Sequence, residues 1–162
     1  MELKDLKSGR LHATEPAQMT AADREALFAP EVVAFLPPGF QNLGSDAARR
    51  HLIDALKQEA EVVALSAQDQ EIVGLVILSF AHDGVGQRNL GYLFARRAWG
   101  QGYASEMLRA LQDQLRGTPV VLSGGVMAEN AASARVLEKC GFEPGEKTAS
   151  GEMTYVWDAA QG

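Results

Sequence analysis

The sequence holds a single cysteine, Cys140, and only three histidines. One cysteine excludes an internal disulfide framework and any cysteine-cluster metal site, and no His/Asp/Glu group has metal-ligand spacing, so no metal is expected. The scarcity of cysteine fits a reducing compartment. Basic residues are the minority charge: 15 Lys and Arg stand against 21 Asp and Glu, a formal net charge of −6. That balance lacks the basic face a nucleic-acid partner needs. No apolar run reaches the about 18 residues of a membrane span, so no membrane partner is expected. The opening stretch MELKDLKSGRLH has no apolar core of a secretory signal, which leaves the cytoplasm as the expected location. Internal repeats, low-complexity tracts and a Pro/Ser-rich linker are also missing. Residues 1–162 are therefore expected to form a single domain.

The chain has ample means to build a core, since 46% of it is apolar and 22% charged. A short strand is expected over Leu11–Ala13. Thr20 and Asp23 look like the opening of a helix with Leu27 and Phe28 on its inner face, closed by Leu36-Pro37-Pro38-Gly39-Phe40. Ala48, Leu52, Ala55 and Leu56 recur at helical spacing after Asp46. Val62–Ala67 and Ile72–Phe80 read as strands joined by a hairpin at Asp69-Gln70, the second covered on both faces. After a loop over His82–Gln87 come a strand over Leu90–Ala95, a helix over Gly102–Arg116 with Met107, Leu108, Leu111 and Leu115 inside, and a strand over Val120–Leu122. Asn130 caps a helix over Ala131–Cys140 that Gly141 ends. Two strands, Phe142–Thr148 and Met153–Trp157, close the chain. The order is β-α-α-β-β-β-α-β-α-β-β, an α/β fold with one mixed sheet and helices on both faces.

One junction carries chemistry. In Leu90-Gly91-Tyr92-Leu93-Phe94-Ala95-Arg96-Arg97-Ala98-Trp99-Gly100-Gln101-Gly102-Tyr103-Ala104-Ser105 a strand runs through a glycine-spaced loop straight into a helix. Unpaired amides at a helix start, backed by the helix dipole, form an anion site, and phosphate is the usual anion. Gly100 and Gly102 let a diphosphate approach the backbone closely. Taken alone the glycine pair reads first as an ordinary strand-to-helix turn. It is neither a P-loop nor a dinucleotide fingerprint, because the lysine of the first and the third glycine of the second are absent. The later stretch Asn130-Ala131-Ala132-Ser133-Ala134-Arg135-Val136-Leu137-Glu138-Lys139-Cys140-Gly141-Phe142 is, by itself, a capped amphipathic helix with a glycine stop.

The two stretches together, Trp99-Gly100-Gln101-Gly102-Tyr103-Ala104 and then Asn130-x-x-Ser133 with Glu138-Lys139-Cys140-Gly141-Phe142, resemble the GNAT superfamily of acetyl-CoA-dependent N-acetyltransferases. The resemblance is to the branch holding the ribosomal-protein N-terminal alanine and serine acetyltransferases. It implies a single N-acetyltransferase domain with a mostly antiparallel sheet, the acyl-CoA N-acyltransferase fold, and acetyl-CoA as co-substrate. It also implies that Gly100, Gln101, Gly102, Tyr103, Ala104 and Ser105 cradle the CoA diphosphate with backbone amides. Trp99 replaces the Gln or Arg of the general pattern, which leaves a backbone role intact. The amide of Phe94, at the end of a splayed strand, would face the thioester carbonyl and stabilise the tetrahedral intermediate. Asn130 would contact the cofactor arm, and Ser133, one turn on, would lie near the sulfur. The serine reads equally as a helix-start residue satisfying a backbone group. Arg96, Arg97, Arg135 and Lys139 are candidate phosphate partners or plain surface charges.

Two positions depart from the family. Leu137 stands where many relatives carry a tyrosine acid, and Asn89 where many relatives of this branch carry a glutamate base. A thiol of pKa about 8.5 leaves without an obligatory acid, and Ser133 or water could assist. The base matters more. An α-amine of pKa about 8 is roughly 10% neutral at pH 7, whereas a lysine of pKa about 10.4 is neutral to roughly 0.04%. A site without a strong base should therefore prefer an α-amine. His82, Asp83 and Glu129 are spare titratable groups near this end of the sheet. His12 and His51 have no supporting pattern, and Cys140 reads as a small buried hydrophobe. The segment Val33–Phe40 would line the acceptor pocket. The expected activity is direct acetyl transfer to a primary amine, on a protein N-terminus or a small molecule, and a homodimer is compatible with the sequence. The competing expectation, motivated by Leu137 and Asn89, is an acyl-CoA-binding or sensing domain with little turnover.

Overall fold

In the computed structural model, which describes residues 2–80 and 86–161, three of the five α-helices begin at a side-chain cap, Thr20, Ser45 or Asn130. At the start of α1 (Ala21–Leu27) the Thr20 hydroxyl accepts from the Asp23 N–H and the Asp23 carboxylate accepts from the Thr20 N–H. Two amides that have no intrahelical acceptor are thereby satisfied. Pro30, harmless at a first helical position, starts the one-turn α2 (Pro30–Val33). The structure thus splits in two a region expected to be one helix. Ser45 caps α3 (Asp46–Lys57). The helix α4 (Tyr103–Leu115) starts after Gly102, and α5 (Ala131–Lys139) after Asn130.

Seven strands form one sheet among the described residues: β1 (Leu11–Thr14), β2 (Ala60–Ala67), β3 (Ile72–Ser79), β4 (Gln87–Phe94), β5 (Val121–Met127), β6 (Glu143–Lys147) and β7 (Glu152–Asp158), in the order β1-β2-β3-β4-β5-β7-β6. Every neighbouring pair is antiparallel except β4 and β5. The α/β class, mostly antiparallel sheet and helices on both faces agree with the sequence reading. One core lies under α4 and α5, with Val76, Leu108, Leu111, Leu122 and Leu137. The other lies under α1–α3, with Leu27, Ile53, Leu75 and Leu93. Adjacent β3 residues Leu75 and Val76 enter opposite cores, so the strand is covered on both faces as its unbroken apolar run implied. Each fully buried apolar side chain of α4 contributes roughly 1.5–3 kcal/mol of transfer free energy. The stripe of α4, not its start, anchors it, and the start is left available to a ligand.

The sequence reading ended β5 at Leu122; the strand instead runs through Ser123-Gly124-Gly125 to Met127 and pairs with β7 throughout. The glycines do not break it, because both are held in the ladder by β7, Gly124 opposite Tyr155 and Gly125 opposite Thr154. The other bounds shift by a few residues at element ends. His82 and Asp83 lie outside the described residues.

Candidate active site

Strands β4 and β5 are parallel and pair only over Gln87–Asn89 against Val121–Ser123. Beyond that they diverge, since β4 continues to Phe94 against β3 and β5 continues to Met127 against β7. The closed end is held by Arg88, whose Nε donates to the Ser79 carbonyl at 2.7 Å and whose guanidinium pairs with Glu61. The open end is a wedge with unpaired backbone on both sides. The Ala95 N–H donates to the Val73 carbonyl at 2.9 Å. Hydrogen-bonded and non-hydrogen-bonded positions alternate along an antiparallel ladder. Tyr92 and Phe94 therefore aim their N–H and C=O groups away from β3, into the wedge. The same alternation, set by the Ala159 N–H donating to the Val120 carbonyl at 2.9 Å, aims those of Gly125 and Met127 into it from β5.

Phe94 is fixed on three sides. Its ring lies across Gly74, where a Cβ would stand 2.7 Å away, and stacks on Tyr103 with centroids 6.5 Å apart. The Trp99 indole N–H donates to its carbonyl oxygen at 2.9 Å. Trp99 thus locks the peptide that follows the amide aimed into the wedge. Gly100 and Gly102 take φ values of 76° and 78°, a region that side chains rarely adopt. They turn the chain so that α4 starts beside the open end. Gly102 supplies no side-chain cap, so the first amides of α4, at Tyr103, Ala104 and Ser105, remain available to an anion. Gln101 lies in the same loop with its side chain donating to the Arg97 carbonyl at 2.9 Å.

Asn130 and Ser133 meet at the start of α5, where the Asn130 Oδ1 accepts from the Ser133 N–H at 3.2 Å. With Oδ1 engaged in the cap, a ligand contact falls to Nδ2. The Ser133 hydroxyl lies 3.2 Å from the Tyr92 hydroxyl across the wedge. Burial pushes the Tyr92 phenol above its ordinary pKa, outweighing the opposing hydrogen bond from Ser133. The tyrosine therefore stays neutral at physiological pH, and either hydroxyl of the pair can donate to the other. The sequence reading did not single out Tyr92; the alternation Leu90-x-Tyr92-x-Phe94 placed it on the α4/α5 face, but nothing in the sequence aligned it with Ser133.

On the opposite face a second unexpected residue appears. The Glu152 side chain lies over Gly125, close enough that a Cβ there would overlap Oε1 and stand 2.6 Å from Cδ. Among the described residues its carboxylate has no ion-pair partner. Leu137, where a tyrosine acid was weighed, is a core residue 2% exposed. Asn89 is exposed beside the closed end, and Glu129 is exposed in the turn before α5. Arg97 is engaged elsewhere, paired with Glu71 at 2.5 Å and donating to the Ile72 carbonyl. This engagement favours the surface-charge reading of the two weighed for it. Arg96 stacks over Trp99 at 5.8 Å, and Arg135 and Lys139 are exposed on α5. Cys140 is buried, and burial raises its pKa, in keeping with a packing role. In the segment Val33–Phe40, Phe40 stacks on Phe28 with centroids 6.4 Å apart, while Phe35 is exposed.

A family model of the acetyltransferase (GNAT) domain matches residues 17–143. No curated protein matches the chain in sequence. Among solved structures, an acetyltransferase (GNAT family) from Bacillus anthracis superposes with a TM-score of 0.75 at 19% identity, covering 95% of this chain and 98% of that one. The ribosomal L7/L12 alpha-N-protein acetyltransferase RimL, in complex with coenzyme A, gives 0.71 at 17% identity, with 98% and 99% covered. The aminoglycoside acetyltransferase AAC(6')-Ib, in complex with coenzyme A and kanamycin, gives 0.69 at 22% identity, with 91% and 93% covered. All three share the fold.

Proposed function

The chain belongs to the GNAT family of acetyltransferases, and on that premise we propose that residues 1–162 form one domain that carries acetyl from acetyl-CoA directly to a primary amine. The observation that carries this reading is the wedge between β4 and β5, with the Phe94 amide aimed into it beside the uncapped start of α4. Those groups fit acetyl-CoA in kind: amides for a diphosphate, and a free strand edge for an extended amide-containing arm. Gly100, Gln101, Gly102, Tyr103, Ala104 and Ser105 hold the diphosphate, and Asn130 contacts the arm. The Phe94 N–H donates to the thioester oxygen as it gains negative charge. Glu152, on the far side of Gly125, accepts the proton of the incoming ammonium. The neutral amine nitrogen then forms a bond to the carbonyl carbon; as the carbon–sulfur bond breaks, Ser133 donates its proton to the sulfur and takes up in return, through a water, the second proton that the attacking nitrogen sheds. The products are an N-acetyl amine and free CoA, and no metal takes part.

The acceptor is an α-amine of a peptide or a small amine. The RimL and AAC(6')-Ib complexes name acceptors of both kinds. A carboxylate base removes a proton more readily from an α-ammonium of pKa about 8 than from lysine at about 10.4. The place of action is the cytoplasm. The test is the unfolding midpoint with and without acetyl-CoA, followed by amine-dependent release of CoA thiol. Ligand at about 100 times Kd adds roughly 2.7 kcal/mol, a rise of several degrees. No rise at millimolar acetyl-CoA overturns the cofactor site. A rise without thiol release on any amine favours the sensing domain, the reading that the buried Leu137 supports.

A further inference from the structure

Arg10 precedes β1 and belongs to no motif of the cofactor site, yet it meets the cofactor loop from outside at several points. Its Nη2 donates to the Gln101 carbonyl at 2.8 Å, and its guanidinium carbon sits 4.5 Å over the Tyr103 ring. Its Nε donates to Glu106 Oε1 at 2.7 Å, and its backbone N–H donates to Oε2 at 2.8 Å. The Ser8 hydroxyl donates to the same carboxylate. Burial alone would raise the pKa of Glu106, but the hydrogen bonds from Ser8 and Arg10 win and hold it below the ordinary value. An ionised carboxylate therefore occupies the first turn of α4.

That charge is favourable for the helix and unfavourable for its ligand. A carboxylate in the first turn complements the helix dipole, but it opposes a second anion at the same terminus. A loop carbonyl turned toward a phosphate opposes it likewise. Both liabilities are met by one side chain. We propose that Arg10 is a positioning residue for acetyl-CoA: it cancels the Glu106 charge and holds the Gln101 carbonyl outward, so that the loop amides face the diphosphate. The inference rests on the cofactor reading above. It adds that affinity for the diphosphate is set partly by a residue of the N-terminal hairpin.

The test is isothermal titration of acetyl-CoA into wild type, Arg10→Met and the double variant Arg10→Met/Glu106→Gln, with S-acetylpantetheine as an alternative donor lacking the diphosphate. Arg10→Met should weaken acetyl-CoA binding about tenfold, the loss of one charge-assisted contact. The ratio of kcat/KM for acetyl-CoA to that for S-acetylpantetheine should fall by a similar factor, which a general loss of structure would not produce. Removing the uncovered carboxylate as well should recover part of the affinity, and this variant keeps the test available if Arg10→Met folds poorly. Binding within twofold of wild type in Arg10→Met overturns the proposal, as does an equal loss for both donors or no recovery in the double variant. Failure of wild type itself to bind acetyl-CoA would instead overturn the functional reading.

Discussion

The Tyr92 and Ser133 hydroxyls lie 3.2 Å apart and join β4 to α5 across the mouth of the wedge. Either hydroxyl can donate to the other; in the arrangement in which the neutral phenol donates to the Ser133 oxygen, the serine proton is free to turn toward a sulfur. If Ser133 is the proton donor, Ser133→Ala should lower kcat by about a hundredfold, the low end for proton-transfer catalysis. Tyr92→Phe keeps the ring that packs edge-on to Phe94 and should cost several-fold. Because Tyr92 acts through Ser133, Tyr92→Phe/Ser133→Ala should be no slower than Ser133→Ala alone. Additive losses in this cycle would show that the two hydroxyls work independently.

Glu152 can act on the amine only while Gly125 leaves room beneath it. Gly125→Ala inserts a methyl where Oε1 and Cδ now lie and pushes the carboxylate off the strand. The expected result is a loss in kcat of about a hundredfold, with acetyl-CoA affinity near wild type because the loop and the Phe94 amide are untouched. Glu152→Gln should match it. A kinetic comparison of both variants checks the assignment, and a variant that loses cofactor binding instead would place Glu152 on the donor side.

The sequence revealed the donor half of the site more fully than the acceptor half. Gly100, Gly102, Asn130 and Ser133 are contiguous in motif, and backbone amides follow directly from a strand–loop–helix order. Tyr92 and Glu152 depend on which strands become neighbours and where they part. That is set by the β4–β5 divergence and the β5–β7 register, both long-range facts. Gly124-Gly125 misled for the same reason: low strand propensity is local, whereas the pairing of both residues with β7 is tertiary. The two readings of Arg97 could not be separated from sequence because its partner Glu71 lies 26 residues away, before β3.

Acid sensitivity should follow the carboxylate ends of two ion pairs, Arg24–Asp46 and Arg10–Glu106. The hydrogen bond from Arg24 holds the Asp46 carboxyl below its ordinary pKa, with burial opposing it. Glu106 is likewise lowered, by Ser8 and Arg10 against its own desolvation. A carboxyl whose folded pKa is depressed contributes stability that is fully present above its unfolded pKa, near 4, and is lost as pH falls through the folded value. Stability should therefore be flat across neutral pH and fall below about pH 4. Asp46→Asn should flatten part of that acid limb in a pH series of unfolding midpoints. An unchanged slope would mean that the Arg24–Asp46 pair, though 2.7 Å long, has little differential effect on folding.

Restoring a tyrosine at Leu137 tests whether the family's usual acid could simply be put back. Leu137 is 2% exposed and packs within the α4/α5 core, with its Cδ1 4.0 Å from where a Cβ of Gly124 would stand. A phenol there is larger than the space and brings a hydroxyl into an apolar setting, so it must either strain the core or swing outward and leave a void. Leu137→Tyr should destabilise by roughly 1–3 kcal/mol, a fall in midpoint of several degrees. Activity should not rise if, as proposed, the proton to the sulfur comes from Ser133. A rise in kcat without loss of stability would show that the wedge has room for a second donor and that the Tyr92–Ser133 pair is not the route of the proton.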